Sequence, residues 1–226
     1  MKYLLSLILC ICSIVAQPMQ IPAPMQKLLV ALRNGDVAVI RAEIAAGRIG
    51  IPKEQLPLWA YKKASLEALK EAGIPLFVRD SSGMTAFHIA AQNEEIGAVS
   101  FLLDCGAKVN ERDDFDRTAL FFAAGNSSTD VVNLLLRSGA DVNCQNRSGV
   151  TPLMHAASQG SEPVFMFLLS AEANTHITDK EGRTVQHYVD EAPEHLADTA
   201  SKARKRKRLA EVEAIMNDKQ KASVAK

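Results

Sequence analysis

Thr85, Thr118, Thr151 and Thr184 stand 33 residues apart, and the sequence around each of them repeats with the same period. The segments SGMTAFHIAA, FDRTALFFAA, SGVTPLMHAA and EGRTVQHYVD align on these threonines, and FLLDCGAKVNERD, LLLRSGADVNCQN and FLLSAEANTHITD follow in the same register. A unit of this length cannot cover its own apolar face, so units must stack on one another. The pairs Ala90-Ala91, Ala123-Ala124 and Ala156-Ala157 put small side chains on a first helix, where a neighbour can approach closely. The runs at 101–103, 134–136 and 167–169 make a second, more apolar helix, ended at Gly106 or Gly139 by a left-handed cap. The threonines precede the first helix, where a hydroxyl satisfies an orphan N–H, and Pro152 suits the first helical turn. Asn110 and Asn143 fall in the connecting hairpin, where tolerance of positive φ is useful.

Period and motif together resemble the ankyrin repeat, whose pattern joins a glycine, a Thr-Pro-Leu-His turn, an alanine pair, a leucine run and Gly-Ala-Asp-Val-Asn. The resemblance extends over roughly residues 25–200, with atypical terminal units that must meet water. It implies an all-α solenoid of about six stacked helix-turn-helix units with short β-hairpin loops. The expected division is a divergent first unit at 25–50, a shortened unit at 51–79, repeats at 80–112, 113–145 and 146–178, a capping unit at 179–200 and a basic helical tail at 201–226. Four departures put local hairpin or cap geometry in question. Asp116 and Glu172 replace expected glycines, Phe121 replaces the turn histidine, and in the fifth unit the histidine has moved to His155.

The chain of 226 residues is 47% hydrophobic and 23% charged, enough apolar material to build a core and too little bias for disorder. Its 26 basic and 26 acidic residues are unevenly placed. From Ser201 to the end there are nine Lys or Arg and three Asp or Glu, which leaves the body acidic and the tail basic. Either the two parts face different partners or the tail folds back on the body. At the other end, Met1-Lys2, an apolar run from Tyr3 to Val15 and the small Ala16 read as a signal peptide over 1–16, with a linker at 17–24. A helix of that run spans about 20 Å, short for a membrane anchor. The expected location is periplasmic or secreted. Cys10 and Cys12 would leave with the signal, and Cys105 and Cys144 sit at different repeat positions, so free thiols are expected.

The resemblance implies a protein-binding module, expected to be a monomer that needs no cofactor, in which hairpin tips and the concave face of the first helices carry recognition. Mapped onto this chain, those positions are Met84, Gln92, Asn93, Asp114, Phe115, Arg117, Asn126, Arg147, Val150, Ser158, Gln159 and Arg183. Phe115 is the candidate anchor, since buried aromatics dominate many interfaces; the alternative is that it packs on the next hairpin. Among the histidines, His88 and His187 occupy the turn position, and His155, His176 and His195 form no metal-ligand spacing. With no nucleophile elbow, P-loop or dinucleotide turn, an enzyme is not expected. The tail competes as a second binding element. Lys202, Arg204, Lys205, Arg206, Lys207 and Arg208 would attract an anionic surface or resemble a nuclear address, but no aromatics are interleaved for nucleic acid. The other reading of this run is a solvated or capping helix docked through Leu196, Leu209, Val212 and Met216.

Overall fold

The computed structural model describes residues 23–47, 52–126, 128–192 and 199–224. Residues 1–16, read from the sequence as a signal peptide, lie outside the described residues, as do His195 and Leu196. The first unit pairs α1 (Ala23–Asn34) with α2 (Val37–Ala45), joined through the left-handed Gly35. In the shortened second unit a 3-10 helix (Lys53–Trp59) stands where a first helix belongs, followed by α3 (Lys63–Glu71). Pro57 lies inside KEQLPLW, where in an α-helix its ring would clash with the carbonyl four residues back.

Three regular units follow: α4 (Ala86–Gln92) with α5 (Ile96–Asp104), α6 (Ala119–Ala124) with α7 (Thr129–Arg137), and α8 (Pro152–Ser158) with α9 (Glu162–Ser170). The first helices pack in a row, α4 on α6, α6 on α8 and α8 on α10 (Val185–Glu191), while α3, α5, α7 and α9 form a parallel outer row. Alanine pairs do what their size allows: Ala90, Ala91, Ala123, Ala124, Ala156 and Ala157 lie in the seam between inner helices, cut off from water. Leu102, Leu135 and Leu168 hold one repeat position on the outer helices and are completely buried, each contributing about 1.5–3 kcal/mol relative to exposure. No unit could bury them alone.

Local signals act as their chemistry requires. The Thr118 hydroxyl accepts from the N–H of Phe121 and that of Thr151 from Met154, both at 3.3 Å. At Thr85 the turn histidine completes the cap: Nδ1 of His88 accepts from the Thr85 N–H at 3.2 Å, and Nε2 bonds the Glu111 carbonyl at 3.1 Å. Asp116 and Glu172 take φ of 59°, the left-handed geometry of the glycines they replace, so the stack imposes the turn on residues that disfavour it.

Each hairpin loop is closed by a backbone bond, as from Asp113 N to Arg117 O at 3.0 Å, without a regular strand among the described residues, and the tips are joined from unit to unit by Asp114 N to Ser82 O, Arg147 N to Phe115 O and Lys180 N to Ser148 O, at 2.8–3.0 Å. Two expectations are corrected. Asn110 and Asn143 do not adopt positive φ. They bridge units: Asn110 donates to the Gly139 carbonyl at 3.1 Å and accepts from the Asp141 N–H at 2.9 Å, and Asn143 accepts from Asn174 N at 2.8 Å. Finally, the expected boundary between a capping unit and a tail at residue 200 falls inside one helix, α11 (Thr199–Val224), which packs against α9 and α10 as the outer helix of a sixth unit.

Candidate functional site

Four hairpins between 74 and 185 present their tips along one edge of the stack, and one residue closes each tip. The Oδ1 atoms of Asp80, Asp113, Asn146 and Asp179 each accept from the backbone N–H groups two and four residues on, at 2.8–2.9 Å. These residues are themselves 33 apart, a signal in the sequence that the repeat motif overshadowed. A second ladder ties hairpin to hairpin. Arg79 donates to the Arg112 carbonyl, Arg112 to that of Gln145 and Gln145 to that of Thr178, at 2.9, 2.9 and 3.1 Å. Side chains one repeat apart thus hold the tips in a fixed row before any partner arrives.

Against this frame the candidate positions separate. Arg117 and Arg183 are anchored to the buried carboxylates of their own turns, with Nε 2.7 Å from Oδ2 of Asp113 and Asp179. Burial alone would raise the Asp179 carboxyl, but the Tyr188 hydroxyl at 2.6 Å, Arg183 and turn N–H groups outweigh it and hold it well below the usual carboxylate range. Tyr188 is pushed up to about 12, by its burial and by that carboxylate. Met84 and Val150, at the equivalent place, are half-buried. Asp114 is exposed and 3.4 Å from Arg79.

Phe115 projects from the second of the four tips at 48% exposure. The guanidinium of Arg117 lies 4.9 Å from its ring centroid and that of Arg147 5.8 Å, so an aromatic ring is presented between two cations. The ring meets Arg147 of the next hairpin and still stays exposed. From there Arg117 reaches inward over Phe122 at 4.6 Å, and Phe122 meets His88 and Phe121 edge to face. Phe121 stacks on His155 with centroids 4.3 Å apart and planes within 10°. The two departures from the turn-histidine pattern are therefore one feature: a ring-on-ring contact between successive inner helices. Burial, with Arg117 nearby, lowers the His155 pKa to about 4, so its imidazole is neutral around pH 7. Burial also lowers that of His88.

On the inner helices themselves, Gln92 is half-buried, with its carbonyl accepting from Asn126 at 2.9 Å, and Ser161 in turn donates to the Asn126 carbonyl. Asn126 works within the stack. Asn93 bonds the Ile89 carbonyl of its own helix, and Ser158 that of His155. Asn93 and Gln159 are the exposed pair here.

Cys144 is buried beside the Thr118 hydroxyl at 3.2 Å, and its burial pushes the thiol up; Cys105 receives a hydrogen bond from Lys70 at 3.2 Å. Both thiols are free. Among the described residues no three His, Cys, Asp or Glu side chains converge as a metal ion would require.

The basic run is turned largely toward the body. Arg204 pairs with Glu162, Arg206 with Asp190 at 2.6 Å and Arg208 with Glu211 at 3.1 Å, while Lys202 donates to the Asp190 carbonyl. Lys205, expected among the groups that meet an anionic partner, is instead completely buried, because α11 puts it in the seam against Phe165. Lys207 remains on the exposed face. Of the expected docking residues, Leu209 is buried, and the side chains of Val212 and Met216 lie outside those described.

A family model described as ankyrin repeats, in three copies, matches residues 58–146 and 120–189, together more than half of the chain. No curated protein matches it.

Proposed function

The chain belongs to the ankyrin-repeat family, whose members are generally protein-interaction modules, and from that premise we propose that it binds a protein partner across the hairpin tips and the adjoining inner-helix face of its third to fifth units. One observation carries the proposal: Phe115 stands exposed between Arg117 and Arg147 at a tip whose backbone is already fixed by neighbouring hairpins. A preordered aromatic flanked by guanidiniums loses little entropy on contact, and aromatic and arginine side chains dominate binding energy in many interfaces. Met84, Asp114, Val150, Asn93 and Gln159 would form the surround. The sequence of residues 1–16 supports an exported protein, with a partner in the envelope or outside the cell.

A photo-crosslinking residue at position 115 tests this, with the same residue at the exposed Asn133 of outer helix α7 as comparison. Crosslinks to one discrete protein from 115 and not from 133 are the expected result; the reverse pattern refutes the surface assignment. Intact mass of the protein recovered from cell fractions tests export separately. A species beginning at Gln17 outside the cytoplasm is expected, and a full-length cytoplasmic species would exclude it.

A further inference from the structure

Outer helices of the regular units seal against one another with apolar side chains. Ala98, Val99 and Leu102 on α5, Val131, Val132 and Leu135 on α7, and Val164, Phe165, Leu168 and Leu169 on α9 are all buried. Helix α11 occupies the next place in that row, against α9 and α10, yet the buried members among its described side chains are Ser201, Lys205 and Leu209. These follow at i, i+4 and i+8, a single stripe down the helix. In its middle the Lys205 ammonium is fully buried, its Nζ has no hydrogen-bond partner, and it lies 5.5 Å from the centroid of the Phe165 ring. The ring face returns some of the attraction lost from water, but a buried ammonium without an acceptor is a poor filling for a seam.

Charge at the rim holds α11 in place. Both Glu162 carboxylate oxygens receive Arg204, one of them at 2.8 Å; Arg206 Nε donates to Asp190 Oδ1 at 2.6 Å, and Lys202 Nζ to the Asp190 carbonyl at 3.2 Å. The Arg204 bonds hold the Glu162 carboxyl below its ordinary value, and Asp190 is likewise lowered against the effect of its burial, by Gln186 and Arg206. So the slot on α9 and α10 has an acidic rim that selects cations around an apolar floor that its present occupant does not match.

We propose that this slot is a docking site for a basic helix of a partner protein, and that α11 is a built-in competitor which such a helix displaces. The fitting helix carries Arg or Lys where Arg204 and Arg206 stand, and an apolar residue where Lys205 stands. This surface is separate from the hairpin tips and does not depend on their role.

The probe is a fluorescently labelled peptide of residues 199–214 carrying Lys205→Met, added to three full-length chains: the parent, the double variant Arg204→Ala/Arg206→Ala, and Lys205→Met. Removing the rim cations loosens the resident helix, so the double variant is expected to bind the peptide about tenfold more tightly than the parent, equivalent to about 1.4 kcal/mol. The Lys205→Met chain, whose own helix fits better, is expected to bind it about tenfold more weakly. Hydrogen exchange of the amides at 201–209 should follow the same order, fastest in the double variant and slowest in Lys205→Met, with α8 amides unchanged as evidence that the stack is intact. Equal peptide affinity for the three chains overturns the proposal, as does equal exchange. Release of α11 by anionic vesicles or heparin, with no binding of the peptide to any chain, overturns it in favour of an anionic partner for the freed helix.

Discussion

Gly149 and Gly182 hold the same position in successive hairpins, with φ of +82° and +76°, so alanine at either one carries the strain of left-handed backbone, about 1–2 kcal/mol. Their surroundings differ. A Cβ on Gly149 would lie 2.9 Å from both the Asp179 Cα and the Lys180 N, whereas one on Gly182 would meet nothing within 4 Å. Neither backbone atom can swing aside as a side chain would. The hairpin that carries them is held by the Tyr188–Asp179 and Arg183–Asp179 bonds and by Lys180 N to Ser148 O at 3.0 Å. Displacing it enough to admit a methyl group strains or breaks the Lys180–Ser148 bond, and overpacking of this kind costs about 1–3 kcal/mol. Gly149→Ala should therefore destabilise by about 2–5 kcal/mol and Gly182→Ala by about 1–2 kcal/mol, the difference isolating the contact between hairpins. Asp116 shows that the position accepts a real Cβ where the next hairpin is already set for it, since Arg147 N still reaches Phe115 O at 2.8 Å. Urea unfolding followed by circular dichroism gives the two costs, and exchange of the Lys180 amide reports the hairpin directly, because a solenoid can open unit by unit. Equal costs, with Lys180 exchange unaltered in Gly149→Ala, would refute the reasoning.

Phe77 is 49% exposed and stands one repeat before Asn110, so Phe77→Asn should create the missing bridge to the Gly106 carbonyl and the Lys108 N–H and stabilise by about 0.5–1.5 kcal/mol; an unchanged or lower melting temperature would count against the register. His155 has a folded value of about 4 against 6.5 unfolded, so its contribution is fully present above pH 6.5 and is lost as pH falls from there toward 4. Between pH 7 and 5 the loss should be about 2 kcal/mol, and His155→Leu should flatten that part of the stability–pH curve; parallel curves for the two proteins would sink the assignment. Thr151→Val removes the hydroxyl that caps α8 and should cost about 1 kcal/mol, read as a lower urea midpoint with unchanged slope.

The period of the threonines and alanine pairs was enough to define a stack of helical pairs, because small residues at fixed spacing and apolar runs that no single unit can cover admit few other arrangements. It also placed the caps at Thr118 and Thr151 and put Phe115 on a hairpin tip. Part of the choice of which tip residues stay available is local: Arg117 and Arg183 share their repeat position with Met84 and Val150, and each arginine folds back onto the aspartate four residues before it, Asp113 or Asp179. Phe121 and His155 looked like unrelated departures until adjacent inner helices brought their rings together. The run from Lys202 to Arg208 reads in one dimension as a cluster of free cations. Only the helix it forms, and the acidic residues of α9 and α10 across from it, turn Arg204 and Arg206 into ties to the body and bury Lys205 in the seam. Spacing along the chain determines which residues recur on a face; what Arg204, Lys205 and Arg206 do depends on residues of neighbouring helices, which only the stacked structure brings within reach.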